Sequence, residues 1–328
     1  MTQDARRQRG AQWACEHTGW ADARLEVVSA DASFRRYFRL RHGNRSMVLM
    51  DAPPESEPLD AFIDIAERLA PWVHVPTIHA ADRDNGYLLL EDLGDSPYHQ
   101  ILTDDNADEL FDAAVTALIR IQTEVPTDGL PEYDAGRLMQ ELALFPDWFL
   151  ARHWQVEPDD DELDRWDLIC ATLIRWALDQ PRVFCHRDFM PRNLMQADPN
   201  PGIIDFQDAV IGPISYDPVC LFRDAFLSWP VERVDGWLED YRARALAAGL
   251  AVPESADLWR RSCDLMGAQR HLKVLGIFAR IAYRDGKPHY LDDAARFFGY
   301  LAEAIRRNPE LSDLGALLKG WQARAQPR

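Results

Sequence analysis

The chain has 328 residues, of which 47% are hydrophobic and 27% are charged, a balance that is typical of a soluble globular protein and excludes disorder over most of the chain. The net charge of −18 at pH 7 repels nucleic acids and anionic membrane surfaces, so we expect neither as a partner. Five widely spaced cysteines indicate neither a disulfide framework nor a zinc site, and no apolar stretch is long enough for a membrane span. We therefore expect a reduced, cytoplasmic and monomeric protein.

The first part of the chain predicts a small, mostly antiparallel sheet. A helix is expected over residues 4–17, and an amphipathic pattern predicts one more helix over 57–70. Gly43-Asn44 is a hairpin signal between two of the strands. The predicted strands are 24–29, 33–41, 45–51, 77–80 and 86–91.

The rest of the chain is predominantly helical in its periodicity. The predicted helices are 104–123, 134–154, 160–178, 217–228, 231–248, 256–284 and 291–307. Strands return only between residues 183 and 205, and turn formers over 92–97 predict a boundary between the lobes 1–94 and 95–328. We therefore expect an α+β protein with a small antiparallel β-sheet N-lobe that has one helix crossing the sheet, followed by a larger, mainly helical C-lobe.

One segment has the residue types that phosphoryl transfer requires. The spacing is H-x-D-x4-N from His186, and a further aspartate, Asp205, follows twelve residues after Asn193. Asp188 is expected to accept or orient the proton of an attacking hydroxyl, as the catalytic residue, and Asn193 and Asp205 to bind Mg²⁺ on the nucleotide phosphates. Each of these residues alone is also typical of an ordinary turn, but the whole set in this order favours a kinase.

These segments resemble a known superfamily. Residues 186–193 resemble the catalytic loop of the aminoglycoside phosphotransferases and choline kinases, and residues 204–209 resemble the metal-binding segment of the same superfamily. The resemblance implies the bilobal protein-kinase-like fold, ATP and Mg²⁺ as cofactors, and transfer of phosphate to a hydroxyl of a small molecule. The N-lobe would then bind the nucleotide, and the C-lobe would carry catalysis and the substrate site.

A narrower resemblance concerns bacterial sugar kinases that act on the anomeric hydroxyl of N-acetylmuramate and N-acetylglucosamine. It depends on residues 31–39, 50–54, 205–213 and 269–278, and it implies an amino sugar substrate and sugar 1-phosphate products for peptidoglycan recycling. Two alternatives stay open. An acidic surface would also suit a cationic substrate of the aminoglycoside or choline type, and an altered nucleotide site would suit a non-catalytic, ATP-binding pseudokinase.

The nucleotide site departs from the superfamily in one position. Met50 occupies the place on the third strand where the superfamily has a lysine that reaches the α- and β-phosphates. Alternation on the second strand places Arg36 among inward-facing apolar residues, and we predict that Arg36 replaces the lysine. The alternative is an Arg36 that turns into solvent at the strand end. Glu67 is a candidate for the carboxylate that pairs with this cation.

Other nucleotide contacts are predicted for the loop around Ser33 and for the hinge between the lobes, residues 90–93. The chain has no Walker loop and no dinucleotide-binding turn, so the segment around Ser33 is expected to cover the phosphates. The resemblance implies that Glu91 and Leu93 contact adenine through their backbone groups.

The substrate side is predicted from polar and basic residues near the C-lobe motifs. The predicted sugar-binding residues are Gln207, Asp208, Arg223, Arg270 and Lys273. A basic stripe at helical spacing, formed by Gln269, Lys273, Arg280 and Arg284, would suit an anionic sugar such as N-acetylmuramate, with a solvated helix face as the alternative. Asp217 is predicted to cap a helix, with Pro218 at the next position.

Overall fold

The structure, a computed structural model, describes residues 3–29 and 35–326. The α-helices in chain order are α1 (Gln3–Thr18), α2 (Asp60–Leu69), α3 (Tyr98–Ile101), α4 (Ala107–Glu124), α5 (Ala135–Leu144), α6 (Asp160–Leu178), α7 (Tyr216–Phe222), α8 (Val231–Ala247), α9 (Ala256–Arg284), α10 (Ala294–Arg307) and α11 (Ser312–Arg324). The strands are β1 (Arg24–Ser29), β2 (Arg36–His42), β3 (Arg45–Asp51), β4 (Ile78–Asp82), β5 (Tyr87–Glu91), β6 (Arg182–Cys185), β7 (Leu194–Met195), β8 (Gly202–Ile203) and β9 (Val210–Pro213).

The chain divides into two compact units, each made of discontinuous segments. The first unit comprises Met1–Asn106 and Arg192–Asp208, and the second comprises Ala107–Pro191 and Ala209–Arg328. This division differs from the single boundary predicted between residues 94 and 95. The reason is that the segment carrying Asn193 and Asp205 folds with the N-terminal residues rather than with the helices that flank it.

The first unit is built on a five-stranded antiparallel sheet of order β1-β2-β3-β5-β4. Helix α1 covers one face of this sheet. Its Ala14 is buried in one core with apolar side chains of that face, which are Phe38, Leu40, Leu49, Tyr87 and Leu89. The predicted hairpin at Gly43-Asn44 joins β2 to β3, and Gly43 has a φ of +60°, which glycine adopts without strain.

A short ribbon, formed by β7 and β8, holds the Asn193 to Asp205 segment in the first unit. Strand β7 pairs with β8 in antiparallel register, and the ribbon is extended by bridges from His74 to Gly202 and from Pro97 to Met195. The Ile203 amide donates to the carbonyl of His74 at 2.8 Å. These backbone bonds hold both ends of the Asn193 to Asp205 segment in the first unit.

The second unit is mainly helical, with the pair β6–β9 as its sheet. Its core surrounds α9, a helix of 29 residues whose side chains are buried on every face from Ser262 to Leu272. A helix that is buried all round shows little amphipathic periodicity. Trp154 is buried in this core and Trp148 packs against it.

Several predicted elements are confirmed with their bounds, including β1, β3, α6 and α9. The single helix predicted over 134–154 is instead α5 followed by a π-helical segment, Phe145–Trp154, with Pro146 in its first turn. Proline lacks the amide that an α-helix needs at this position, so the hydrogen-bond pattern changes there. Across the described residues, no helix is both long and apolar enough to cross a membrane.

Candidate active site

The catalytic loop begins where β6 ends in the second unit. His186 is fully buried, its ring packs edge-on against Phe189 at 5.7 Å, and its Nδ1 lies 3.3 Å from the amide nitrogen of Asp188. Asp188 itself is half-buried. The predicted catalytic carboxylate of Asp188 therefore lies in a loop whose first residue, His186, is fully buried.

The buried carboxylate of Asp217 binds the backbone of this loop. Its carboxylate accepts hydrogen bonds from the amides of His186 (2.7 Å) and Arg187 (2.9 Å), and Asp217 is only 1% exposed. The prediction that Asp217 caps a helix was wrong, because Ser215 precedes α7 and the Asp217 side chain points to the loop. Burial raises the pKa of Asp217, and the two hydrogen bonds from the backbone amides offset part of this rise.

The left-handed conformation of Arg187 is a second constraint on the loop. Its φ is +74°, a region that a residue with a side chain occupies only when its surroundings impose it. The Arg187 guanidinium binds the carboxylate of Glu141 at 2.5 Å, and the Cys220 thiol donates to the carbonyl of Arg187 at 3.3 Å. Side chain and backbone are thus fixed from two helices, α5 and α7.

Glu141 is the centre of a polar network inside the second unit. Besides Arg187, it contacts the ammonium of Lys273 at 2.9 Å, the amide of Gln269 at 3.2 Å and the hydroxyl of Tyr133. Burial alone would raise the pKa of Glu141, but the charges of Lys273 and Arg187 outweigh it and lower the pKa. No motif in the sequence predicts Glu141, since its charged partners Arg187 and Lys273 lie far away along the chain.

The predicted metal ligands lie together in the first unit. The side-chain amide of Asn193 is 3.3 Å from the Asp205 carboxylate, and the Asn193 carbonyl accepts the amide of Ile204 at 3.0 Å. Asp205 is exposed and has a φ of +62°. Gln207 is buried and donates its Nε2 to Asp205 at 3.0 Å, whereas Asp208 is exposed.

This donor set fits Mg²⁺. An amide oxygen and a carboxylate on adjacent side chains are hard oxygen ligands, and Mg²⁺ usually takes one or two protein ligands while water and substrate phosphates complete its shell. Among the described residues, no group of three or more His, Cys, Asp or Glu side chains is arranged to hold a metal by itself. Asn193 and Asp205 would hold the ion, and Gln207 would orient Asp205.

Arg36 lies on the face of the sheet that α1 covers. It pairs in register with Asp51 across β2 and β3, and its guanidinium binds the fully buried Asp51 carboxylate. Arg6 of α1 binds the other oxygen of Asp51 at 2.6 Å. Met50 points to the opposite face by alternation, so Arg36 and Met50 are on different sides of the sheet. The predicted role of Arg36 at the nucleotide stays a prediction, and Glu67 is exposed on α2.

The hinge residues lie at and just beyond the end of β5. The amide of Glu91 donates to the carbonyl of Thr77 at 2.9 Å, so a backbone contact from Glu91 to a base would use its carbonyl. The Glu91 side chain binds His74 and Thr77, whereas Leu93 borders Gly202. Ser33, predicted to cover the phosphates, lies outside the described residues. The adenine contacts of Glu91 and Leu93 stay predictions.

The predicted sugar-binding cations lie in the second unit, where Arg223 and Arg270 are buried and Lys273 is half-buried. Arg223 binds Asp264 at 2.6 Å, and Lys273 contacts Tyr216 at 3.0 Å in addition to Glu141. Burial lowers the pKa of Arg270, but the side chains around it, which are Cys220, Tyr216, Asp224 and Asp188, outweigh burial and raise the pKa. The contact of these cations with a sugar stays a prediction.

The basic stripe predicted on α9 is not a continuous surface. Gln269 and Lys273 belong to the Glu141 network, whereas Arg284 is exposed and binds Asp285 at 2.7 Å. Arg280 is half-buried, and burial lowers its pKa. His271, on the same helix, is fully buried.

The order and spacing of Asp188, Asn193 and Asp205 along the chain predict an enzyme that transfers phosphate. Comparison with known proteins agrees with this class. The chain belongs to the phosphotransferase enzyme family, whose model matches residues 24–259. The prediction of a phosphotransferase is thereby confirmed.

Two relatives share most of their length with this chain. It is 55% identical over 304 residues to the N-acetylmuramate/N-acetylglucosamine kinase of Pseudomonas aeruginosa (strain PAO1), which covers 92% of this chain and 90% of the relative. It is 52% identical over 304 residues to the protein of the same name from Pseudomonas putida (strain KT2440), with coverages of 92% and 89%. The predicted resemblance to this group of kinases is confirmed.

A solved structure shows the same fold. The ADP-bound aminoglycoside phosphotransferase APH(2'')-Ib superimposes with a TM-score of 0.59 at 15% identity, covering 89% of this chain and 98% of that one. The predicted α+β, protein-kinase-like fold is therefore confirmed.

Proposed function

We propose that this protein is a cytoplasmic, monomeric, ATP-dependent kinase that phosphorylates the anomeric (C1) hydroxyl of N-acetylmuramate and N-acetylglucosamine. The products would be sugar 1-phosphates for peptidoglycan recycling. The observation that carries the substrate class is the similarity, across 92% of the chain, to a kinase named for these two sugars. ATP as the donor is supported by the shared fold with a phosphotransferase that binds ADP.

The reaction breaks the bond between the γ-phosphorus of ATP and the oxygen that bridges it to the β-phosphorus. A new bond forms between that phosphorus and the C1 oxygen of the sugar, and ADP leaves. Asp188 accepts the proton of the C1 hydroxyl as the new bond forms. Asp217 and the Glu141 network fix the loop backbone, so that little reorganisation is needed at the moment of transfer.

Mg²⁺ would supply charge neutralisation on the nucleotide phosphates, held by Asn193 and Asp205. Among the predicted sugar contacts, Arg270 would suit the lactyl carboxylate of N-acetylmuramate, because a guanidinium can bind a carboxylate through two parallel hydrogen bonds. Arg223 and Lys273 would act from within their ion pairs with Asp264 and Glu141.

The test is release of ADP with N-acetylmuramate, N-acetylglucosamine, kanamycin and choline as acceptors, with and without Mg²⁺. We expect turnover on the two amino sugars only, and only with Mg²⁺. Asp188→Asn should lose roughly 10²- to 10⁴-fold in kcat while ATP with Mg²⁺ still raises its melting temperature, because ligand binding stabilises the folded state.

The alternatives have distinct outcomes in the same assay. Turnover on kanamycin or choline alone would contradict the sugar proposal and favour a kinase for cations. Thermal stabilisation by ATP without turnover on any acceptor would favour a pseudokinase.

A further inference from the structure

The face of the sheet opposite α1 has a cation of its own. Side chains alternate along β2 and the residue before it, so Arg35, Tyr37 and Arg39 share one face while Arg36 and Phe38 share the other. Tyr37 pairs in register with Met50 of β3. Arg35 is therefore on the same face as Met50, the position at which the third strand lacks a lysine.

Arg35 is held by a carboxylate that comes from outside the sheet. Its Nη2 lies 2.6 Å from Oε2 of Glu57, and the two side chains are 14% and 20% exposed. Glu57 lies in the segment that leads into α2. An arginine presents several donors in a planar fork, so one edge can bind a carboxylate while another binds a phosphate.

Helix α2, which follows Glu57, contacts the predicted metal-binding segment. Phe62 of α2 packs against Phe206, the residue after Asp205, with ring centroids 4.8 Å apart. Because Glu57 lies just before α2, this contact brings the segment that holds Arg35 next to the segment that carries Asp205.

We propose that Arg35 binds the phosphates of the nucleotide in place of the missing lysine, and that Glu57 is the residue that positions its guanidinium. In protein kinases a lysine on the third strand binds the phosphates and pairs with a helix glutamate. Here the cation has moved to the start of the second strand and the carboxylate to the segment before the helix. The inference rests on the proposed use of ATP, and it assigns to Arg35 the role that the sequence pattern suggested for Arg36.

The contacts of Arg36 explain why the neighbouring arginine is the weaker candidate. Arg36 shares the buried carboxylate of Asp51 with Arg6 on the α1 face, so its charge is used to neutralise Asp51. Removal of Arg36 would leave a buried carboxylate with one partner fewer, which is a stability defect. Arg35 and Arg36 therefore predict different consequences when each is replaced.

The experiment measures the dissociation constant of ATP with Mg²⁺ by calorimetry and the KM values for ATP and sugar, for wild type and five variants. We expect Arg35→Ala to raise both ATP constants roughly 10- to 100-fold, the loss of a charge-assisted contact, with the sugar KM unchanged. Arg35→Lys should restore part of the affinity, because it keeps the charge. Glu57→Gln should raise the KM for ATP by a smaller factor, because Arg35 keeps its charge but loses the carboxylate that positions it.

Arg41→Ala is the matched control on the same face of the same strand. Arg41 is 42% exposed in its pairs with Glu26 and Asp95, and such surface pairs contribute little. We expect its ATP constants within about twofold of wild type.

Two results would overturn the proposal. One is an Arg35→Ala protein with wild-type affinity for ATP, and the other is an Arg36→Ala protein that alone loses affinity while its melting temperature stays unchanged. If the wild type binds ATP but phosphorylates no sugar, the proposed function fails, and the calorimetric comparison still decides the role of Arg35.

Discussion

At the scale of single residues, buried charges in the second unit are placed to fix the catalytic loop. Glu141 neutralises Arg187 and Lys273 at once, and Asp217 binds two amides of the loop. Breaking a buried ion pair by removing one partner is costly, because the other charge stays buried. The loop therefore depends on residues that do not themselves react.

Replacing Glu141 tests this dependence. We expect Glu141→Gln to lower the free energy of unfolding at pH 7 by roughly 3 kcal/mol or more, and to lower kcat. The folded-state pKa of Glu141 is below the ordinary glutamate value of 4.5, so its contribution is present above pH 4.5 and is lost as the pH falls through the folded-state pKa. The difference between wild type and variant should therefore shrink below pH 4.5, as measured by denaturant unfolding over a pH series.

Glu132→Gln is the control for this prediction. Glu132 pairs with Arg182 at the surface, where both side chains are well exposed, and we expect a change below about 1 kcal/mol. A gap between wild type and Glu141→Gln that stays constant down to pH 3 would contradict the role of the Glu141 charge.

The sequence allows prediction of the residues that carry a motif, but not of the residues that support it. Asp188, Asn193 and Asp205 follow from spacing, because the chemistry dictates their types and order. Glu141 does not, since its partner Gln269 is more than a hundred positions away and no local pattern links them. The position of Asp217 before a proline predicts a helix cap, and only the fold reveals that its carboxylate binds the loop.

At the scale of elements, close packing of α9 against α5 determines how the Glu141 network is assembled. Lys273 and Gln269 are on α9, and Glu141 is on α5. Gly276 lets the two helices approach, because a Cβ at this position would lie 2.3 Å from the carbonyl carbon of Leu144 and 2.4 Å from its oxygen. The obstacle is backbone, which cannot move aside as a flexible side chain would.

Gly276→Ala should therefore separate these helices. We expect a loss of at least about 3 kcal/mol in the free energy of unfolding, measured by denaturant titration. The matched control is Gly236→Ala in α8, where no heavy atom of the described residues lies within 4 Å of an added Cβ. That control should stabilise the protein by about 0.5–1 kcal/mol, since alanine favours a helix. Equal stability of the two variants would rule out a close contact at Gly276.

The elements differ in how far sequence predicts them. Strands β1 and β3 follow from alternation and turn signals, whereas alternation on β2 places Arg36 among the apolar residues without showing that α1 covers this face. Helix α11 was missed although Leu314, Leu317, Leu318 and Trp321 recur at helical spacing and are buried. The division of the 134–154 helix follows from Pro146, a signal that was available in the sequence.

At the scale of the whole molecule, a chain of net charge −18 would bind anionic phosphates at a few sites of concentrated positive charge. Of the proposed cations, Arg35 is paired with Glu57 and Arg270 is buried. Each guanidinium is therefore held in a fixed orientation. A sugar kinase with this charge distribution would select its substrates by local pockets and not by its overall field.

The most direct measurement of the proposed reaction is NMR analysis of the product formed from N-acetylglucosamine with ATP and Mg²⁺. We predict that the new phosphorus signal couples to the anomeric proton and that the sugar loses its reducing end. Phosphorus attached to any other carbon would contradict transfer to the C1 hydroxyl, and absence of a phosphorylated sugar from both N-acetylglucosamine and N-acetylmuramate would contradict the kinase activity proposed for this chain.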